Sequence, residues 1–154
     1  ALAAQSSPGA NGVLFLPFIN GERAPFSCPQ ATGAFLGLRN STGPADLARA
    51  CVEGIAYSAR HCLAAMRSTP PRQALLSGGA SKSAVFCQIF ADALGIPLGL
   101  APAYPGAAGA AALLKKGLGL PWRSSSKAEV AFLPSQADRH VCRGKSGGSR
   151  QAEH

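Results

Sequence analysis

Leu75-Leu76-Ser77-Gly78-Gly79-Ala80-Ser81-Lys82-Ser83 is the stretch on which the reading of this chain turns. A short apolar run ends in two glycines, and a helical pattern starts at once, Ala84-Val85-Phe86 through Ala93-Leu94. Glycines at a strand-to-helix corner allow positive φ and let the backbone meet a ligand with no Cβ in the way. The helix start beyond them offers unpaired N–H groups and a positive dipole end, which suits a phosphate. Two readings stand, a nucleotide contact and an ordinary tight turn. A P-loop is excluded, because Ser81 occupies the place where G-x-x-x-x-G-K-[ST] needs glycine. A G-x-G-x-x-G dinucleotide fingerprint is also absent.

The chain around this corner has 154 residues, 47% hydrophobic and 14% charged, which suits one packed domain. Its longest apolar runs, such as Gly106 to Leu114, are too short and too rich in Ala and Gly to span a bilayer. The first residues lack the basic start and long apolar stretch of a signal peptide, and the only methionine is Met66. An upstream region is therefore expected. Cys28, Cys51, Cys62, Cys87 and Cys142 form no C-x-x-C pair, so zinc and paired-disulfide readings are weak. Cys51 and Cys62 fall on one helical face as small buried apolar groups, and a reduced, cytoplasmic protein follows. The net charge of +8 is scattered apart from a C-terminal group, Arg139, Arg143, Lys145 and Arg150, with neither Tyr nor Trp nearby to stack a base. The pattern argues against a nucleic-acid partner, and the charge suits an anionic small molecule equally well.

Outward from the corner, strands are expected at 13–19, 33–38, 74–77 and 97–101, and helices from about 44 to 66, 82 to 94 and 106 to 117. Pro17 pushes the first strand towards an edge or bulge. Ser41-Thr42-Gly43-Pro44-Ala45-Asp46 opens the long helix with a hydroxyl cap and an early proline. Its buried face is expected to hold Leu47, Ala50, Cys51, Gly54, Ile55, Ser58, Cys62 and Ala65, and Pro70-Pro71 ends it. Residues 22–32, with two prolines and no periodicity, read as a long functional loop. Gly109, Ala110 and Ala111 have little side chain and let the last helix pack closely on the sheet. Residues 1–11 read as a truncated lead-in, 12–134 as the domain body, and 135–154 as a poorly ordered basic tail. Strands followed by βαβα give an α/β architecture with part of the sheet parallel, and ligands of such sheets bind beyond the strand C-termini.

Several segments together resemble one family. Gly33-Ala34-Phe35-Leu36-Gly37-Leu38, then seven intervening residues, then Asp46-Leu47-Ala48-Arg49-Ala50-Cys51-Val52-Glu53-Gly54, is similar to the second signature of the FGGY carbohydrate kinases. Cys51 departs from the usual residue types. Phe15-Leu16-Pro17-Phe18-Ile19-Asn20-Gly21-Glu22-Arg23-Ala24-Pro25 resembles the family's Leu-Pro-Tyr-x-x-Gly-Glu-Arg-x-Pro segment, and Ser77 to Ser81 its adenosine motif. The small residues from Gly106 resemble its last conserved helix.

The resemblance covers roughly residues 12–120, in order, and only the family's C-terminal domain. It implies an actin-like, ribonuclease H-like α/β domain, a mixed sheet with flanking helices, that binds ATP against an N-terminal kinase domain. The substrate class it implies is a pentulose or polyol, in the manner of xylulose or erythritol kinases. Gly78, Gly79 and Ala80 are then expected along the ribose and α-phosphate, with Ser81 in the same cofactor-binding corner. Ser83 either approaches adenine or caps the helix. Glu22 and Arg23 lie on a cleft-facing loop, as an ion pair or as substrate or phosphate contacts.

The family's Asp-x-Gly-Thr phosphate loop and its general-base Asp do not occur here. No catalytic or metal-ligating residue is therefore assigned to this chain, and Mg2+ is expected to be held mainly by the N-terminal domain. Alone the chain should be inactive, since phosphoryl transfer needs metal, in-line positioning and a proton acceptor. A non-catalytic nucleotide-binding scaffold is the alternative, and homodimerisation stays open.

Overall fold

A computed structural model describes residues 1–66, 71–101, 104–121 and 130–135. The strands are β1 (Leu14–Leu16), β2 (Ala34–Leu36), β3 (Ala74–Leu76), β4 (Leu98–Leu100) and β5 (Val130–Phe132). The helices are α1 (Pro44–Ala65), α2 (Ala84–Leu94) and α3 (Pro105–Gly117). β1 and β2 form an antiparallel pair with Phe15 opposite Phe35, their ring centroids 4.7 Å apart. β3, β4 and β5 form a mixed sheet in that order, β3 parallel to β4 and β4 antiparallel to β5. α2 is the crossover between the parallel strands, which the glycine corner opens and Gly95, at φ 71°, closes.

The expected elements are found, each strand trimmed to three residues. β1 stops where Pro17 removes a donor, as expected of an edge. β5 was not expected: its Val-Ala-Phe is too short to show a period. It is fastened to α2 by Gln88 Nε2 donating to the Leu133 carbonyl at 2.9 Å and by Ser135 N–H donating to Asp92 Oδ1 at 2.7 Å. The expected tail beyond residue 135, and Pro70 at the end of α1, lie outside the described residues.

α1 is the element against which α2, β1 and the N-terminal segment all pack. Its start corrects the expected hydroxyl cap. Gly43 is the N-cap, its N–H donates to Asp46 Oδ2 at 2.9 Å, and the Thr42 hydroxyl instead accepts from Arg39 N–H at 2.9 Å. The buried face is also corrected. Asp46, Arg49, Ala50, Glu53, Gly54 and Ala56 are buried, Ile55 is 44% exposed, Ala65 is exposed, and Cys51, Ser58 and Cys62 are half-buried. The reason is that residues 1–13 cover the charged side of α1, in two short 3-10 turns held by polar contacts. Asp46 Oδ1 accepts from Ser6 Oγ (2.6 Å) and Asn11 Nδ2 (2.8 Å). Glu53 Oε1 accepts from Arg49 Nε (2.7 Å) and Gly9 N–H (3.0 Å), and Arg49 Nη1 donates to the Ser6 carbonyl (3.0 Å). The segment so held runs through four successive positive-φ residues, Gly9 to Gly12.

One core cluster lies between α1, α2 and the mixed sheet. Ala56, Cys87, Phe90, Ala91, Ala93 and Leu98 are buried there, against Leu76, Leu100 and Phe132. A second, Ala10, Val13 and Ala50, lies under Phe15, Phe35 and Leu47. α3 buries none of its residues, so the expected close packing of its Gly109-Ala110-Ala111 stripe on the sheet is not found. A Cβ at Gly109 would meet open space, which means no neighbour requires the small residue there.

Two stability tests follow from α1. A Cβ at Gly54 would overlap the Phe15 carbonyl oxygen, a backbone atom that cannot swing away. Gly54→Ala should therefore destabilise the chain by about 1–3 kcal/mol in denaturant titration, as overpacking does. The Ser6 hydroxyl first, then Gly43 N–H and the Asn11 amide, hold the Asp46 carboxyl below its ordinary value of 3.8, against an upward push from burial. A lowered folded-state pKa means that its stabilisation is complete above the ordinary value and drains as pH falls below it. Asp46→Asn should lower the melting temperature at neutral pH and flatten its decline below about pH 4. Parallel pH curves for parent and variant would contradict this.

Candidate functional site

The glycine corner forms because β3 ends at Leu76 and Gly78 then takes φ 89°, ψ −166°, a conformation essentially restricted to glycine. The chain does not pass directly into α2. A 3-10 turn, Gly79–Lys82, intervenes, and Ser83 is the N-cap of α2. Ser81 N–H and Ser81 Oγ both donate to the Gly78 carbonyl, at 3.2 and 2.7 Å. Ser83 N–H donates to the Ala80 carbonyl at 3.1 Å. From α2, the Cys87 thiol donates to the Ser81 carbonyl at 3.5 Å. Gly78, Gly79 and Ala80 are exposed, and a Cβ on either glycine would meet nothing within 4 Å. The backbone is thus open to a ligand from outside.

Of the two roles open to Ser83, the cap is made: its Oγ accepts from Phe86 N–H at 3.3 Å. Glu22 and Arg23 sit on a separate loop, closed by Glu22 N–H to the Cys28 carbonyl (3.0 Å) and Cys28 N–H to the Glu22 carbonyl (2.9 Å). The Glu22–Arg23 ion pair is not formed. Glu22 Oε1 accepts instead from Arg23 N–H (2.8 Å) and Ala24 N–H (3.2 Å), a local turn bond that needs no guanidinium. The loop rests on the far half of α1, Phe26 against His61 with ring centroids 6.0 Å apart and the Cys62 thiol donating to the Ala24 carbonyl at 3.3 Å. Gly78 to Ser83 therefore come together in one turn, and among the described residues no hydrogen bond or ion pair joins them to Glu22 or Arg23.

Sequence reasoning missed Cys87 as a partner of the corner, because a lone cysteine on a helix reads as a small core residue. It also missed the Gln88 and Asp92 strap, whose partners lie more than 40 residues away. Among the described residues no group of three His, Cys, Asp or Glu could hold a metal ion, and no helix is long and apolar enough to cross a membrane.

An open glycine corner leading from a parallel strand into its crossover helix, with helices packed on a mixed sheet, is the architecture of the actin-like ATPase class. The sequence pattern of the FGGY family of carbohydrate kinases, C-terminal domain, matches residues 1–115, and the chain belongs to that family. It is similar to the xylulose kinase of Escherichia coli K12, 38% identical over 97 residues, 62% of this chain and 20% of that protein. It is also similar to the glycerol kinase of Polaromonas naphthalenivorans, 37% identical over 146 residues, 86% of this chain and 29% of that protein. Among solved structures, the ligand-bound xylulose kinase of Lactobacillus acidophilus superposes with a TM-score of 0.82 at 25% identity, over 92% of this chain and 30% of that one. The xylulose kinase of Rhodospirillum rubrum does so with a TM-score of 0.74 at 31% identity, over the same shares. The chain thus spans less than a third of the length of each of these relatives.

The cap bond gives a direct test. Ser83→Ala should lower stability by about 0.5–2 kcal/mol in thermal unfolding. In the chain joined to an N-terminal kinase domain, the preference for ATP over GTP should not change. A narrowed preference with unchanged stability would return Ser83 to an adenine contact.

Proposed function

We propose that this chain is the ATP-binding C-terminal half of a kinase that transfers the γ-phosphate to a hydroxyl of a pentulose or polyol. The observation that carries the reading is the open backbone at Gly78, Gly79 and Ala80, which a ribose and α-phosphate can approach without meeting a side chain. ATP fits the corner on that ground, with Ser81 and Ser83 shaping the turn beneath it. Glu22 and Arg23 lie on the loop that faces the sugar and the phosphates, where the exposed Arg23 supplies positive charge. The second wall of the cleft belongs to an N-terminal kinase domain, the direct partner of this chain. Mg2+ is assigned to that partner's residues. The free thiols at Cys28, Cys51, Cys62 and Cys87 agree with a reduced, cytoplasmic setting.

One observation favours the second reading, a non-catalytic nucleotide-binding scaffold. Every described carboxylate already has partners: Glu22 on Arg23 and Ala24 N–H, Asp46 on Ser6 and Asn11, Glu53 on Arg49, Asp92 on Gln88 and Ser135. None is left beside the corner to accept the proton of a sugar hydroxyl. Glu129, Asp138 and Glu153 lie outside the described residues. The purified chain should therefore bind ATP weakly and phosphorylate no pentulose or polyol, and turnover should require the N-terminal domain. Failure of the joined domains to turn over any such substrate would leave the scaffold.

Gly79→Val tests the corner itself. The added side chain enters open space, so circular dichroism should match the parent while ATP binding is lost. A folded variant that titrates with ATP like the parent would place the nucleotide elsewhere.

A further inference from the structure

We propose that Ser81 and Cys87 are positioning residues that hold the glycine corner in its ligand-receiving shape, Ser81 through its hydroxyl and Cys87 through its thiol. The proposal rests on the nucleotide reading given above and reassigns Ser81 from a ligand contact to a latch.

The corner has little else to hold it. Gly78, Gly79 and Ala80 are exposed, and no side chain lies where a Cβ on either glycine would be. Apolar packing cannot fix a loop of this kind, so its shape depends on hydrogen bonds. Ser81 supplies two of them to one acceptor, since its N–H and Oγ converge on the Gly78 carbonyl at 3.2 and 2.7 Å. The hydroxyl bond is the shorter, and it fixes the peptide that leads out of the positive-φ Gly78 into Gly79. These bonds are local to the turn and do not attach it to the rest of the domain.

Cys87 makes that attachment. Its side chain is fully buried in the α1–α2–sheet core, so its position is set by packing. Its thiol reaches out of that core to the Ser81 carbonyl at 3.5 Å. Burial raises the thiol pKa, which keeps the proton needed for donation at neutral pH. Thiols are weak donors, yet this one is rigid, and the Ser81 carbonyl lies one residue before the end of the turn. Together the two side chains form a short chain of bonds from the domain core through Ser81 to Gly78. A corner held in this way meets a ligand already ordered, which spares the cost of ordering it on binding.

The test uses the 15N-labelled chain and ATP as the probe, with amide hydrogen exchange and chemical-shift titration read on the same samples. Ser81→Ala, at a half-buried position, removes the hydroxyl bond with little risk to folding. Cys87→Ala removes the thiol bond, and Cys87→Ser restores a donor at the same place. In both alanine variants, exchange at the Ser81 and Ser83 amides should rise about two- to tenfold relative to the Ile89–Ala93 amides, as expected for a lost hydrogen bond. The apparent Kd for ATP should weaken by a similar factor. Cys87→Ser should stay within about twofold of the parent in both readouts, a rescue that loss of core volume alone would not show. Unchanged exchange at Ser81 and Ser83 in both alanine variants would overturn the latch. Faster exchange with parental ATP affinity would overturn the positioning role. A parent chain whose corner amides do not shift with ATP would defeat the nucleotide reading, while the exchange comparison still decides whether the two side chains hold the corner.

Discussion

The charged seam along α1 is the interaction on which the arrangement of the chain depends. Asp46, Arg49 and Glu53 fall on one stripe of the helix at spacings of three and four, and all three are buried. A buried ion pair contributes little net stability by itself, because desolvation offsets most of the attraction. Here Arg49 and Glu53 each have a further partner in the N-terminal segment, the Ser6 carbonyl and the Gly9 N–H, and Asp46 holds Ser6 and Asn11. The seam therefore works as a register device. It accepts only the backbone path that brings Ser6, Gly9 and Asn11 to the right places. That path runs into Val13 and β1, so the seam also fixes where β1 starts.

On its other side α1 packs on α2, with Ala56, Cys87, Phe90 and Ala91 in one buried core and Arg60 Nη1 donating to the Ala93 carbonyl at 3.0 Å. A densely packed core tolerates little sliding. The start of α2 is thereby fixed from below. The open peptides at Gly78 to Ala80 hang from that fixed start by the Ser83 cap and the bonds around Ser81. Exposure and rigidity are thus supplied by different residues, the glycines giving access and the α2 core giving position. Sites on regular elements hold geometry better than sites on free loops, and this corner has the first turn of α2 as its base.

Much of this was legible in the sequence where the signal is local. Leu75-Leu76 before Gly78-Gly79, Pro44 and Asp46 at a helix start, and Gly95 after Leu94 each act within a few residues, and the structure keeps all of them. What was illegible depends on partners far along the chain. Asp46 stands in the first turn of α1, where its Oδ2 accepts from the Gly43 N–H, but its other oxygen serves Ser6 and Asn11, and nothing near Asp46 announces them. Ile55 has the spacing of a core residue and is exposed, because the charged stripe beside it takes the buried place. The Gly109-Ala110-Ala111 stripe has the composition of a packed face without a partner among the described residues. Composition tells that a residue can be buried, and only topology tells what lies opposite.

The same distinction separates binding from chemistry in the corner. Backbone openness is a property of Gly78 and Gly79 alone, so one strand-to-helix turn can display it. A general base is a relation, a carboxylate held within hydrogen-bond reach of a particular hydroxyl. The carboxylates of α1 and α2 are already placed by the fold: Asp46 and Glu53 secure the N-terminal segment, and Asp92 secures β5 through Ser135. Freeing any of them for catalysis would release a segment on which the domain depends. Under the proposed reading the chain can give its backbone to the nucleotide at no structural cost, and it has no described carboxylate to give to the sugar. On that reading, a proton acceptor would have to come from outside the described residues, because the described acids are committed to the fold.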